Sequence, residues 1–356
     1  MTWYSLSSAP WLSTSTSSGT GTNNVILTYA ANGASPRTTS VAFPGQTLTI
    51  IQAANTGTVA PSPVKVGVMQ TSSMAWALDQ NGNGTFDAGD RYFPFLAAPG
   101  DIAVVGDWTG DGHAKPGVYR NGFWILDLNN NGVWDGPSVD RFIGLGGMPG
   151  DVPVVGDWNG DGRTKVGVYR GGFWILDTNG NGVYDATDQF IGFGGRPGEQ
   201  PVLGDWNGDG RTKVGFMSNG TWVLDYNGNG VFDAADKVYS FPYATGDKAV
   251  VGDWNGSHTS KIGIYRAGFW ILDYNGNGIW DGASADRFYG FGGNVGEIPI
   301  IGDWNGSGTA KIGFYYQGFW ALDYNGNGQF DGTGVGQDRF FGFGGATGEQ
   351  PVIGAW

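Results

Sequence analysis

The chain has no cysteine, only two histidines, and no apolar run approaching the ~18 residues that a membrane span requires. The first absence excludes a disulfide framework and thiol chemistry, and it leaves the redox compartment open. The start of the chain, MTWYSLSSAP, has neither a basic cluster nor an apolar core, so an export signal is expected to be absent or already removed. Lys and Arg are scarce, 19 against 32 Asp and Glu, and the formal charge of −13 argues against a nucleic-acid partner. Catalytic signatures are missing too: there is no G-x-S-x-G and no phosphate-cradling loop ending in G-K-[ST]. His113 and His258 occupy non-equivalent positions with no repeated partner, so the chain is expected not to be an enzyme.

Glycine and aromatics are abundant: 67 Gly and 15% Phe, Trp and Tyr in 356 residues. The glycines recur at fixed places beside the aromatics, which marks turns between packed strands rather than low complexity. Aligned on G-D-W, the Asp falls at Asp107, Asp157, Asp205, Asp253 and Asp303, a period of 48 or 50 residues that belongs to a propeller or solenoid array. Each unit holds four short β-rich runs, for example KVGVYR, GFWILD, QFIGFG and PVLGDW, and YRGGFW reads as a hairpin with a two-residue turn. Unit starts at Lys65, Lys115, Lys165, Lys213, Lys261 and Lys311 give six units. The first lacks a strand of the G-D-W type, and the final PVIGAW supplies it.

The expected fold is therefore all-β: a six-bladed β-propeller of four-stranded blades over residues 64–356, closed by the C-terminal strand. A small Ser/Thr-rich β unit, residues 1–56, precedes it, with residues 57–63 as linker.

Chemistry concentrates in two loops per unit. One reads D-x-N-x-N-G-x-x-D in all six units, with oxygen side chains at alternate positions, a Gly turn and a closing carboxylate, as a Ca²⁺ loop requires. The candidate ligands are Asp79, Asn81, Asn83, Thr85 and Asp87; Asp127, Asn129, Asn131, Val133 and Asp135; and Asp177, Asn179, Asn181, Val183 and Asp185. They continue with Asp225, Asn227, Asn229, Val231 and Asp233; Asp273, Asn275, Asn277, Ile279 and Asp281; and Asp323, Asn325, Asn327, Gln329 and Asp331. The seventh residue of each loop, two before the closing Asp, contributes its main-chain carbonyl, and Asp90, Asp188 and Asp236 add a carboxylate three residues on in three units. A plain Asx-turn is the alternative, but it does not require Asp at both ends, where two carboxylates repel unless a cation lies between them. About six Ca²⁺ per chain would bring the charge of −13 to about −1.

The other loop, DWNGDGRTK in units three and four and DWTGDGHAK in unit two, closes on Lys where a Ca²⁺ loop needs an acid. Lys115, Lys165, Lys213, Lys261 and Lys311 are expected to act as tethered cations, and Ser257 and Ser307 replace the middle Asp once no divalent ion needs neutralising. The alternative is a solvated lysine at a strand start.

The segment Phe190–Phe216, FIGFGGRPGEQPVLGDWNGDGRTKVGF, resembles the FG-GAP or VCBS-type repeat of integrin-like β-propellers, and the likeness runs over about residues 64–356. The resemblance implies Ca²⁺ binding at G-D-x-N-G-D-G-x-x-D. The closing Asp is Lys here, so that family site does not transfer to Asp157, Asn159 and Asp161. The family commonly has seven blades. The N-terminal segment resembles the later part of a BACON-type immunoglobulin-like domain, through APWLS at Trp11, AANGASPRTTSVAF with Asn32 and Arg37, and GQTLTIIQ ending at Gln52. Earlier strands of that family have no counterpart, which implies a fragment or a sheet completed by another chain.

Three functional readings follow. The first is a non-catalytic, Ca²⁺-stabilised binding or adhesion module of a bacterial surface or secreted protein, with an extracellular protein or glycan as partner. The second is a multivalent carbohydrate-binding lectin, with sugars held at Tyr119, Arg120 and Trp124; Tyr169, Arg170 and Trp174; Tyr265, Arg266 and Trp270; and Tyr315 and Trp320. Packing between blades is the competing account of those aromatics. The third is a subunit of a surface fibre or layer, joined by strand sharing through the N-terminal unit.

Overall fold

A computed structural model describes residues 62–334 and 336–356 of the chain, and within residues 1–61 the course of seven short strands. The chain divides into two units, Met1–Pro61 and Ser62–Trp356. In the first, Arg37–Phe43 pairs with both Leu6–Ser7 and Gln46–Gln52, while Thr2–Tyr4 pairs with Ser18–Thr20 and Leu12–Thr14 with Leu27–Tyr29, all antiparallel. The linker expected at residues 57–63 lies mostly outside the described residues.

The second unit is a ring of six four-stranded antiparallel sheets, a six-bladed β-propeller. In blade 3 the inner strand Val152–Gly156 is followed by Lys165–Arg170, Phe173–Leu176 and the outer strand Gln189–Gly192. Blades 2, 4, 5 and 6 repeat this order, with inner strands Ile102–Gly106, Gln200–Gly204, Lys248–Gly252 and Ile298–Gly302. Blade 1 takes Lys65–Gln70, Ala75–Leu78 and Arg91–Phe93 from the start of the ring, and its inner strand, Gln350–Gly354, from the end of the chain. That strand pairs from Gln350 opposite Met69 to Gly354 opposite Lys65, so the ring closes as PVIGAW indicates and no blade is left with an open inner edge.

The six G-D-W or G-A-W tryptophans fix this register. The indole N–H of Trp158 donates to Val166 O at 3.2 Å, and Trp108, Trp206, Trp254 and Trp304 make the same bond eight residues on. Trp356 makes it across the closure, to Val66 O at 3.2 Å. The second tryptophan of each unit, at 76, 124, 174, 222, 270 and 320, is fully buried, and the cores lie between adjacent blades. Trp174, Leu176, Ile191 and Phe193 of blade 3, for example, pack on Val214, Phe216 and Val223 of blade 4. Both faces of a middle blade are thus covered, which is why its second strand reads as an almost unbroken apolar run.

The two-residue hairpins have positive φ at both central residues, as in Asn121 (49°) and Gly122 (91°), the geometry whose twist suits a tight hairpin. Glycine is required at the second position, because a Cβ on Gly122 would stand 2.5 Å from Gly147 Cα. At the first position Asn is well suited, but blades 5 and 6 carry Ala267 (43°) and Gln317 (48°). Left-handed backbone costs a residue such as Ala roughly 1–2 kcal/mol. Ala267→Asn is therefore expected to stabilise the propeller by about 1 kcal/mol, measured as an upward shift of the urea midpoint at unchanged slope.

Candidate functional site

Each lysine loop follows an inner strand and folds around an ammonium. Lys165 Nζ lies 2.9 Å from Asp157 Oδ1, 2.6 Å from Asp161 Oδ1 and 3.0 Å from Arg163 O. Lys213 repeats the set with Asp205, Asp209 and Arg211 O, and Lys115 adds the Thr109 hydroxyl at 2.7 Å. In blades 5 and 6 the middle carboxylate is replaced by Ser257 or Ser307, each 2.5 Å from Nζ, with Thr259 or Thr309 giving both carbonyl and hydroxyl. All five lysines are buried. The oxygens come from positions one, five and seven of the loop, the seventh through its main chain, which are positions a Ca²⁺ loop uses. The tethered-cation reading of the sequence accordingly matches the geometry, and a solvated lysine does not. Burial works against ionisation of Asp111, but Lys115, the His113 N–H and the Thr109 hydroxyl hold it down at about 2.

The second loop folds on the same plan. Asp79 accepts from Asn83 N and Gly84 N, Asn81 Oδ1 from Asn83 N, and Asn83 Oδ1 from Thr85 N. The side-chain amides of Asn81 and Asn83 donate to the two oxygens of Asp87, at 3.0 and 2.7 Å. The other five loops repeat the pairing of the fifth and ninth positions, Asn131–Asp135, Asn181–Asp185, Asn229–Asp233, Asn277–Asp281 and Asn327–Asp331. The structure thus brings the expected Asp and Asn side chains of each loop together. Among the described residues, no three His, Cys, Asp or Glu side chains converge as a metal cluster, because each loop combines two carboxylates with two amides.

The donor chemistry suits Ca²⁺. The leading Asp of every loop is buried, and that burial raises the carboxyls of Asp79, Asp127, Asp177, Asp225 and Asp273, and Asp323 to about 6. Asp177 Oδ1 is a buried acceptor without a hydrogen-bond partner among the described residues, which a cation would satisfy.

Asp90, Asp188 and Asp236 sit differently. Asp90 Oδ1 accepts from Gln80 N and its Oδ2 from Asp87 N, so the carboxylate braces the neck of the loop. Asp188 and Asp236 do the same. Asp140, Asp286 and Asp338 are the braces of blades 2, 5 and 6. Sequence reasoning missed them because they follow the closing Asp by five or seven residues instead of three.

The Tyr–Arg–Trp constellations are not a ligand site. Trp124, Trp174, Trp270 and Trp320 have no exposed surface, and each donates its indole N–H to a buried carbonyl. Tyr119, Tyr169, Tyr265 and Tyr315 are buried against them at ring separations of 4.6–4.9 Å. Arg120, Arg170 and Arg266 are committed to Asp101, Asp151 and Asp247. Where the next unit starts with Glu, the longer acid reaches back to the tyrosine hydroxyl, as in Glu199 with Tyr169 and Glu297 with Tyr265. Asp151 is too short to do so and pairs with Arg170, and the Tyr119 hydroxyl has no partner among the described residues. These aromatics are interblade core, which corrects the expectation of sugar sites there.

Open space lies instead between blades, beside the two loops. In blades 1, 2 and 6 the first residue of the outer strand reaches toward the next blade. Arg91 donates to Asn130 O and Oδ1, Arg141 to Gly180 O at 2.5 Å, and Arg339 to Gly82 O, so these arms bridge to the acidic loop of the following blade. Between blades 4 and 5, Lys237 lies over the Tyr226 ring at 4.9 Å instead. Between blades 5 and 6, Arg287 stacks on Tyr274 at 3.7 Å and bonds its neighbour Asp286 O. The clefts at those two junctions measure about 380 and 190 Å³, against about 150, 50 and 40 Å³ at junctions 6/1, 2/3 and 3/4. Tyr226 and Tyr239 line the largest, and Tyr274 and Tyr289 the next. The sequence signal was present as D-Y-N-G-N-G, which only blades 4, 5 and 6 carry.

Fold and site define a six-bladed β-propeller with paired lysine and acidic loops and interblade clefts. No family model and no curated protein matches the chain. Among solved structures it is similar to a lectin of Agrocybe aegerita, described by its specific recognition of non-reducing terminal N-acetylglucosamine. The identity is 14% and the TM-score 0.53, with 83% of this chain and 96% of the lectin covered, a likeness of fold. A second similar structure is the Photorhabdus luminescens Tc holotoxin pore, at 13% identity and TM-score 0.44, covering 70% of this chain and 14% of that one.

Removing a buried ammonium leaves its oxygens facing one another. Lys165→Met is expected to cost about 3–5 kcal/mol, as breaking a buried ion pair does. Lys165→Asp, by contrast, restores the closing acid of a Ca²⁺ loop. Its melting temperature is expected to fall in EDTA and recover with added Ca²⁺ by more than that of the parent chain, in paired scans.

Proposed function

We propose that the propeller is a non-catalytic carbohydrate-binding module that works outside the cell, holding sugars in its interblade clefts and using Ca²⁺ to order the loops that wall them. The observation carrying this reading is the pair of tyrosine-lined clefts at junctions 4/5 and 5/6. A sugar ring has an apolar face and a rim of hydroxyls; Tyr offers a ring face and a polar tip in one side chain. Asn and hydroxyl side chains complete the walls, among them Asn255, Ser257 and Asn275 at junction 4/5 and Thr309 and Asn325 at 5/6. The fold likeness to a lectin makes a glycan the natural ligand class to test first. More than one cleft per chain would add avidity on a surface that repeats its glycans.

Ca²⁺ enters through the walls. Asp273 and Asn275 of the blade 5 loop line the 4/5 cleft, and Asp323 and Asn325 of the blade 6 loop line the 5/6 cleft. Asp and Asn side chains together with the seventh-position carbonyl of each loop would hold the ion, which supplies positive charge between two carboxylates that otherwise repel. Asn-rich loops carry few formal charges and suit the high Ca²⁺ of extracellular fluid. Among the described residues, no helix is long and apolar enough to cross a membrane. His113 and His258 are exposed, and no side-chain hydrogen bond engages either among the described residues.

A glycan array probed in Ca²⁺ tests the reading, followed by calorimetry with the best binder. Tyr226→Ala and Tyr289→Ala are each expected to weaken binding by about tenfold, 1.4 kcal/mol, while Tyr119→Phe, in the interblade core, leaves it unchanged. An array without any binder in Ca²⁺ contradicts the proposal.

A further inference from the structure

The cleft between blades 4 and 5 differs from its counterparts in more than size. At about 380 Å³ it alone among the five clefts falls within the ~300–1,000 Å³ typical of small-ligand sites. Its arm residue is also chemically distinct. Arg91, Arg141, Arg287 and Arg339 all spend guanidinium N–H groups on backbone carbonyls. The Lys237 ammonium makes neither a hydrogen bond nor a salt bridge among the described residues, and it rests over the face of Tyr226 at 4.9 Å. Lys237 is held at the cleft by its strand, opposite Leu224, so the charge is fixed at the wall and not carried on a free loop.

The nearby charges do not neutralise it. Lys261 lines the same cleft but is already committed to Asp253, Ser257 and Thr259. Asp273 is buried, and its two oxygens accept from Gly276 N, Asn277 N and Gly278 N, inside its own loop. The hydroxyls of Tyr226 and Tyr239 have no hydrogen-bond partner among the described residues, which leaves two O–H donors and an uncommitted ammonium lining the same cleft. Such a donor-rich lining matches an acceptor-only group, and a carboxylate takes charge-assisted bonds from all three.

We propose that the 4/5 cleft binds an acidic sugar, a glycan residue bearing a carboxylate, with Lys237 facing the acid and Tyr226 and Tyr239 flanking it. The inference rests on the glycan-binding reading above and names its ligand class. It also gives the clefts different specificities, since the 5/6 arm, Arg287, is folded onto Tyr274 and bonded to Asp286 O.

The test is isothermal titration of the full chain in Ca²⁺ with a glucuronate-terminated disaccharide and with its carboxyl-reduced, glucose-terminated counterpart. The acidic sugar is expected to bind about tenfold tighter, with the advantage shrinking as salt is raised. Lys237→Gln is expected to remove the preference while keeping affinity for the neutral disaccharide, and Lys237→Arg to retain it; circular dichroism and an unchanged melting temperature establish that the variants are folded. Equal binding of both disaccharides, or a preference that survives Lys237→Gln, overturns the acidic-sugar inference and leaves the glycan reading standing. If neither disaccharide binds and a full glycan array is also blank, both fail. If neither binds but the array yields neutral glycans only, the acidic-sugar inference alone is overturned.

Discussion

The ring depends on burying a positive charge inside a tight turn. At the end of an inner strand the chain must reverse within a few residues, and the carbonyls and carboxylates that make the turn all point to one centre. Five blades fill that centre with a lysine carried eight residues after the leading Asp. A buried ammonium is costly alone, but here it meets three or four oxygens, so desolvation is offset by charge-assisted bonds on every side. The same lysine begins the second strand, so the turn and the strand register are fixed by one side chain. In blade 1, where Ala355 stands in place of the Asp, Lys65 donates instead to Gln80 O in the acidic loop at 2.7 Å.

The acidic loop solves the same geometric problem with the charges exchanged. Its ninth residue is an acid, and its third and fifth are Asn, whose amides donate to that acid in the structure. Turned the other way, the same amides present oxygen to a cation. The two loops of a blade are therefore variants of one turn, one closing on a lysine and the other on an acid for which the proposed function supplies Ca²⁺, and the repeated acidic loops account for much of the chain's acidity.

Much of the architecture was legible in the sequence because the turn chemistry repeats: the 48- or 50-residue period, the Lys that opens each unit and the PVIGAW strand define six blades and their closure. The lysine contacts were legible because Ser257 and Ser307 already signalled that no divalent ion had to be balanced. The clefts were not, because they depend on residues that vary between repeats, Lys237 against Arg141 or Tyr226 against Leu128. The braces Asp140, Asp286 and Asp338 escaped because insertions of differing length separate them from the closing Asp. The tyrosine and tryptophan of the hairpins in blades 2, 3, 5 and 6 misled for a physical reason: in a propeller both faces of a blade are buried, so alternation along a strand does not distinguish a face that meets ligand from one that meets the next blade. The FG-GAP/VCBS-type and BACON-type resemblances remain likenesses of the quoted segments, since no family model matches the chain.

The central claim is that one turn is built twice with two cations, lysine in one and Ca²⁺ in the other. Metal analysis of the chain after dialysis against buffered Ca²⁺, paired with thermal unfolding in Ca²⁺ and in EDTA, tests it most directly. The account predicts about six Ca²⁺ per chain, one per acidic loop and none in the lysine loops, with each site adding about 2.7 kcal/mol when free Ca²⁺ is 100 times its Kd. A melting temperature that EDTA does not move, or a stoichiometry near eleven, would contradict it.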